Sequence, residues 1–213
     1  MTNQQATMYF DVTCPFAWVT SRWLKEVEKV RDVDVTFIPM SLSVLNDGRD
    51  LEESYMRAMG AAWAPALVAA AIYTDYPDKI DAYYTSMGER IHDGGNGHKQ
   101  DPHGYDEIIA EALAEVGLPA ELIEVAHKRE GDDGSVESTL RTLHEQAITK
   151  VGNDVGTPVV QLGDVAFFGP VLTRIPQGEK AGTMFDAAVE LASYEHFFEL
   201  KRSRTEDPRA EFA

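Results

Sequence analysis

The stretch Met8-Tyr-Phe-Asp-Val-Thr-Cys14-Pro15-Phe-Ala-Trp18-Val-Thr-Ser-Arg-Trp23 decides how the rest of the chain is read. Met8, Phe10 and Val12 alternate with Tyr9 and Asp11, which is the two-residue period of a half-buried strand. Pro15 suits the first turn of a helix, where its missing N–H costs nothing. From there Val19, Trp23, Val27 and Val30 recur at helical spacing, with Arg22, Lys25, Glu26 and Lys29 on the other sides. That predicts an amphipathic helix of about four turns. Val33, Val35 and Phe37 then alternate with Asp34 and Thr36 as a second strand. Strand, helix and strand within about thirty residues form a βαβ unit whose strands run parallel.

Working outward, the segment from Asp50 to Glu130 offers no strand pattern. Tyr55, Met59, Ala62 and Trp63 share one helical stripe; Ile80, Tyr83, Tyr84, Met87 and Ile91 share another; Ile109, Leu113 and Val116 share a third. Pro65, Pro77, Pro102 and Pro119 punctuate this block and Gly94–Gly97 marks a loop in it, so four or five helices are expected. Beyond it, Val136, Leu140, Leu143, Ala147 and Val151 form a stripe. Gly156-Thr157-Pro158 leads into a strand at Val159–Leu162, Gly163-Asp164 reads as a two-residue hairpin turn, and Val165–Phe168 returns. A last helix carries Ala181, Phe185, Ala188 and Leu191, and the polar tail after Arg202 reads as loose. The fold class expected is α/β: βαβ, then αββα, with a large all-helical insertion. The division is 1–48 and 135–213 for the mixed domain and 49–134 for the inserted helical one.

The chain has 213 residues, 44% of them hydrophobic, and a net charge of −17. Such an acidic field repels phosphate backbones and anionic lipid surfaces, so neither nucleic acid nor membrane is expected as a partner. No apolar run reads as a membrane span, and Met1–Ala6 lacks the pattern of a secretory leader, so a cytoplasmic location is expected. Cys14 is the single cysteine. An internal disulfide and a multi-cysteine zinc site are therefore excluded.

Cys14 falls at the junction of the first strand and first helix, where free N–H groups and the helix dipole favour an anion. A thiol there is expected to have a lowered pKa and to be nucleophilic at neutral pH. The plainer alternative is a buried, inert cysteine. Thr157-Pro158, at a strand entrance, is a candidate cis peptide whose Thr157 backbone groups could pair with a thiol ligand as an added strand would.

The Cys-Pro helix start inside βαβ, the αββα half and Thr-Pro before the third strand resemble the thioredoxin fold, and the helical insertion resembles its DsbA-like branch. Longer runs are more specific. Cys14–Trp23, Met40–Leu42, Gly156–Val159, Phe167–Leu172 and Phe197–Arg202 resemble the mycothiol-dependent nitroreductase and thiol-disulfide oxidoreductase group of that branch, over nearly the whole chain. The resemblance implies a cytoplasmic enzyme using mycothiol as thiol co-substrate, with no metal and no tightly bound cofactor. Mycothiol-linked reductases would pass on electrons from NADPH, and the substrate would be a disulfide or an aromatic small molecule such as a nitroaromatic. It places Cys14 as the attacking thiol, with Pro15, Phe16, Trp18, Thr157 and Pro158 around the bound thiol. Two residues depart from the group. Ala17 stands where dithiol members carry a resolving cysteine, and Phe16 replaces their usual Trp. The chain is then either a natural monothiol or an engineered trap; in both cases resolution needs an outside thiol. Kappa-type glutathione transferases and 2-hydroxychromene-2-carboxylate isomerases are similar in layout and form the alternative, but they activate a bound thiol without a cysteine. A non-catalytic thiol-binding protein is the third reading.

Tyr55, Met59 and Trp63 are candidates for an apolar pocket wall if the helical block covers the site, although such spacing equally describes core. Asn46 and Arg174 are weaker candidates for polar contacts. His92, His98 and His103, with Asp93 and Asp101, read as a solvated loop rather than a metal site.

Overall fold

The computed structural model describes residues 4–213; Met1–Asn3, the start of the polar N-terminus, lie outside the described residues. Strand β1 (Gln4–Phe10) leads through Asp11–Cys14 into helix α1 (Pro15–Val27), followed by strand β2 (Val33–Pro39). Strands β3 (Val159–Leu162) and β4 (Val165–Phe168) complete a four-stranded sheet of order β2-β1-β3-β4. The β1 strand is parallel to β2 and antiparallel to β3, with Met8 opposite Phe37 on one side and Val160 on the other. The hairpin β3–β4 turns at Gly163-Asp164, where Gly163 has φ +60. Helix α1 ends before Val30, because Val30 and Arg31 already bond back to the Val27 carbonyl in a closing turn.

The alternation of β1 sorts its side chains onto two layers. Met8 and Phe10 belong to the main core with Trp18, Trp23 and Leu24 of α1. That core also takes in Phe185 of helix α7 (Gly178–Ala192), and Trp23 Nε1 donates to the Ala181 carbonyl at 3.1 Å. Tyr9 faces the other way, against Ala147 and Ile148 of helix α6 (Val136–Val151).

Between β2 and α6 the described chain is helical: α2 (Leu42–Asn46), α3 (Glu53–Asp75), α4 (Ile80–Gly88) and α5 (Asp106–Val116), with short turns at Pro77–Lys79, Glu89–Asp93 and Ala120–Val125. Pro65 does not break this block; it lies inside α3. A mid-helix proline costs about 3 kcal/mol. Here the unbroken buried run from Ala61 to Ile72 offsets that loss. By length and composition α3 is also apolar enough to cross a bilayer, contrary to the sequence reading; in this fold it is a largely buried core helix. Helix α4 clamps the insertion onto the sheet, with Tyr84 stacked on Phe10 at 3.8 Å between ring centroids and edge-on to Trp18 at 5.6 Å.

Candidate active site around Cys14

The sequence places a strand end, a tight turn and a helix start in four residues, and Asp11 organises them. Its Oδ1 accepts from Thr13 N and Thr13 Oγ1, both at 2.7 Å, and its Oδ2 accepts from Leu42 N at 2.7 Å. The Asp11 carbonyl accepts from Cys14 N at 3.1 Å. This buried carboxylate thus pins the start of α2 to the turn that presents Cys14. Burial raises its pKa, while those donors pull it down. Alternation had assigned Asp11 to an outward strand position. The strand ends at Phe10, so Asp11 and Val12 belong to the turn.

Cys14 is the N-cap of α1 and Pro15 its first helical residue. The thiol is buried, and Sγ donates to the carbonyl of Thr157 at 3.5 Å. Thr157-Pro158 is a cis peptide, and Thr157 Oγ1 donates to the Tyr9 carbonyl at 3.3 Å. The expectation of a lowered thiol pKa is overturned. Burial pushes Cys14 up to about 12, and the nearby Asp11 charge adds to that. The N–H groups of Ala17 and Phe16 do favour the thiolate, as a helix start should, but desolvation outweighs them.

Thr13 and Pro15, the chain neighbours of Cys14, line a cavity of about 410 Å³, within the range of small-molecule sites; Cys14 itself, Phe16, Thr157 and Pro158 do not line it. Thr13, Pro15, Trp18 and Val19 form one wall, Ile91–Asp93 with Gly95, Gly97 and His98 a second, and Pro208–Glu211 a third. Trp18 is fully buried, and its Nε1 donates to Asp93 Oδ1 at 2.9 Å. His92 is not part of a solvated loop. Its Nε2 lies 3.0 Å from the Val12 carbonyl, its ring stacks on Trp18, and burial lowers its pKa to about 4.

The third wall corrects another expectation, that the tail is loose. Phe212 bridges to Ile175, Arg209 N donates to the Thr173 carbonyl at 3.0 Å, and Arg174 pairs with Glu206 at 2.8 Å. Arg204 lies over the Phe16 ring at 4.5 Å. The tail is therefore a strap across the start of α1. Arg174 serves that strap rather than a ligand. Sequence reading missed this because a polar segment without periodicity gives no packing signal.

The expected pocket residues separate. Asn46 Nδ2 donates to Tyr55 Oη at 3.3 Å and lies 3.9 Å from Met59 Sδ, and Tyr55 is within electrostatic reach of Asp11 and Cys14. Asn46, Tyr55 and Met59 thus form one cluster on the site's helical side. Trp63 does not join them. One turn further along α3 it packs with Leu140 and Leu143 of α6, under the guanidinium of Arg129 at 3.8 Å and near that of Arg141 at 5.2 Å. Another depression, lined by Arg141, Thr142, Glu145, Gln146 and Thr149, is formed by α6 side chains alone.

This architecture is shared with solved proteins. A probable DsbA oxidoreductase from Streptomyces coelicolor is 15% identical, covers 95% of this chain and 94% of its own, and superposes with a TM-score of 0.55. The thiol-disulfide exchange protein alpha-DsbA2 from Wolbachia pipientis is 16% identical, with 89% and 82% covered and a TM-score of 0.53. A periplasmic thioredoxin-like protein from Salmonella enterica serovar Typhimurium is 17% identical, with 88% and 83% covered and a TM-score of 0.52. At these identities the likeness is one of fold, and it gives this chain a thioredoxin-like α/β fold of the DsbA type. In sequence, the uncharacterized protein Rv2286c of Mycobacterium tuberculosis is 25% identical over 197 residues, which is 92% of this chain and 81% of that protein. Residues 13–202 match the family described as the mycothiol-dependent nitroreductase Rv2466c. That match begins just after β1 and takes in β2, the whole helical block, β3 and β4, so the chain belongs to the Rv2466c-like family.

Proposed function

We propose that this protein is a mycothiol-dependent thiol-disulfide oxidoreductase in which Cys14 forms a mixed disulfide with mycothiol. The observation that carries this is the placement of the single cysteine: at the start of α1, against the Thr157 carbonyl, with its chain neighbours Thr13 and Pro15 lining a ligand-sized cavity. Family membership supports the thiol partner.

With the site closed, the thiol is protonated at neutral pH. Exposure of the thiol on ligand entry removes the desolvation that holds the proton. The N–H groups of Phe16 and Ala17 then favour the thiolate, so opening and activation are one event. The thiolate attacks the mycothiol-side sulfur of a mixed disulfide. The Cys14–mycothiol S–S bond forms, the substrate S–S bond breaks, and the substrate leaves as a thiolate that takes up a proton. Ala17 offers no second thiol, so free mycothiol attacks the mycothiol-side sulfur of that bond. Mycothiol disulfide is released and Cys14 recovers its proton. The Thr157 carbonyl holds the thiol ligand, while Pro15, Phe16, Trp18 and Pro158 shape its seat. For a nitroaromatic, the Cys14 thiol and one mycothiol would together supply two electrons and two protons. The nitro group would become nitroso with loss of water, leaving the same mixed disulfide. A cytoplasmic location, with reductases regenerating mycothiol at the expense of NADPH, completes the reading.

The test is turnover of a small mycothiol mixed disulfide with free mycothiol, followed as mycothiol disulfide formed. Wild type is expected to catalyse it, Cys14→Ser is expected to lose it, and glutathione is expected to be a poor replacement. Unchanged turnover in Cys14→Ser would overturn the proposal. A protonated, covered thiol also favours one other reading, in which the protein binds a thiol ligand without bonding to it. That reading predicts ligand binding but no adduct.

A further inference from the structure

We propose that His103, Asp106 and His127 form a surface site for a divalent transition-metal cation of the zinc type. The three residues come from different parts of the helical block. His103 lies in the turn before α5, Asp106 is the first residue of α5, and His127 follows the turn Ala120–Val125. One ligand atom from each lies within 4.8 Å of the others. His103 Nδ1 is 2.8 Å from Asp106 Oδ2, and His127 Nε2 is 2.9 Å from Asp106 Oδ1. The two rings are 4.1 Å apart between centroids.

The size fits. Zinc–nitrogen and zinc–oxygen bonds of about 2.0–2.2 Å at tetrahedral angles separate neighbouring ligand atoms by about 3.3 Å. The present hydrogen-bonded distances open to that value by about half an ångström. Each neutral imidazole then carries its proton on the ring nitrogen away from the cation, and the carboxylate gives up its two hydrogen bonds for one metal bond. The site also converges without a cation. Asp101 Oδ1 accepts from His103 N at 2.8 Å, and Gly104 N donates to the Asp101 carbonyl at 2.8 Å, which fixes the His103 turn. On the other side the buried Ala126 bonds to the Ile123 carbonyl and anchors His127. Two imidazoles and one carboxylate select zinc, cobalt or nickel over magnesium or calcium, which want all-oxygen shells. His103 is the most exposed of the three, which leaves the remaining coordination positions to water. The −17 net charge draws cations to the surface. A bound cation would tie the start of α5 to the segment after Val125.

The experiment is titration of the untagged 213-residue chain carrying Cys14→Ser, which removes the one thiol that could compete, with Co²⁺ and then Zn²⁺. The expected result is one Co²⁺ per chain, visible absorption of a low-coordinate nitrogen–oxygen site, no thiolate band, and displacement by Zn²⁺. His103→Ala and His127→Ala should each weaken binding about tenfold or more, as loss of one ligand in three requires. His98→Ala should not. Binding unchanged in the double variant His103→Ala/His127→Ala would overturn the proposal, and so would no binding below millimolar Zn²⁺. In the second case the three residues are a hydrogen-bonded cluster only. The imidazole C–H resonances of the intact protein provide a readout without ligand mutations: those of His103 and His127 should move together with Zn²⁺, and resonances that stay fixed count against the site.

Discussion

Replacing Gly88 by alanine tests how the helical block is seated on the helix that carries Cys14. Gly88 is the last residue of α4 and has helical φ, so alanine is conformationally favoured there by about 1 kcal/mol. Yet a Cβ at this position falls 2.2 Å from Cζ3 and 2.3 Å from Cε3 of Trp18. Carbon atoms pack at about 3.5–4.0 Å, so the indole must retreat by more than about 1 Å. It has little freedom to do so. Trp18 is held by its bond to Asp93, by Tyr84 at its edge, by the His92 ring, and by the Arg22 guanidinium at 4.2 Å. Overpacking of this kind costs about 1–3 kcal/mol, and so rigid a neighbour places it at the upper end. After the helical gain, the net loss is about 2 kcal/mol. For a chain of this size that lowers Tm by about 4–8 °C. Gly60, within α3, is the matched control, because a Cβ there meets nothing within 4 Å. Gly60→Ala should raise Tm by about 2–4 °C. Thermal unfolding by circular dichroism compares the two. A Gly88→Ala protein as stable as wild type would show that α4 does not press on Trp18 as described.

Three other outcomes follow from the same geometry. Removing residues 204–213 takes away Arg204 over Phe16 and the third wall of the cavity, so Cys14 should react faster with a disulfide reagent at pH 7; an unchanged rate would mean that the strap does not cover the thiol. On the alkaline side, the folded Cys14 pKa of about 12 lies above its ordinary 9.0, so the unfolded chain ionises first. The stability this thiol contributes is complete below pH 9 and is lost as pH rises towards 12; in urea unfolding, wild type should lose its margin over Cys14→Ala across that interval. On the acid side, burial lowers His92 and His144 from 6.5 to about 4, so the unfolded chain gains protons there before the folded one. Stability should fall as pH drops from 6.5 towards 4, and His144→Gln should flatten that slope; an identical slope would remove His144 from the account.

The order of elements was legible because its signals are local. Alternation marks β1 and β2, Pro15 marks the start of α1, Thr157-Pro158 marks the entrance to β3, and Gly163-Asp164 marks the hairpin. What escaped depends on tertiary placement. Asp11 looks like a solvent-facing strand residue until the strand stops at Phe10, and Pro65 looks like a breaker until α3 is buried around it. Trp63 shares a stripe with Met59, but the next turn of α3 faces α6 instead of the site. The helix-start argument for Cys14 had the right direction for the backbone N–H groups. It could not include the desolvation imposed by elements distant in sequence, which here is the larger effect. His127 lies 24 residues beyond His103, so no spacing rule joins them; His103 reaches Asp106 within one turn, but His127 meets it only because the turn Ala120–Val125 packs back on α5.

Exchange of Cys14 with a mycothiol disulfide is read from intact mass after incubation with oxidised mycothiol, with glutathione disulfide alongside. One mycothiol adduct per chain is expected, removed by reductant, persistent because Ala17 offers no resolving thiol, and absent in Cys14→Ser. No adduct with either disulfide, under conditions where the truncated protein also fails to react, would contradict it.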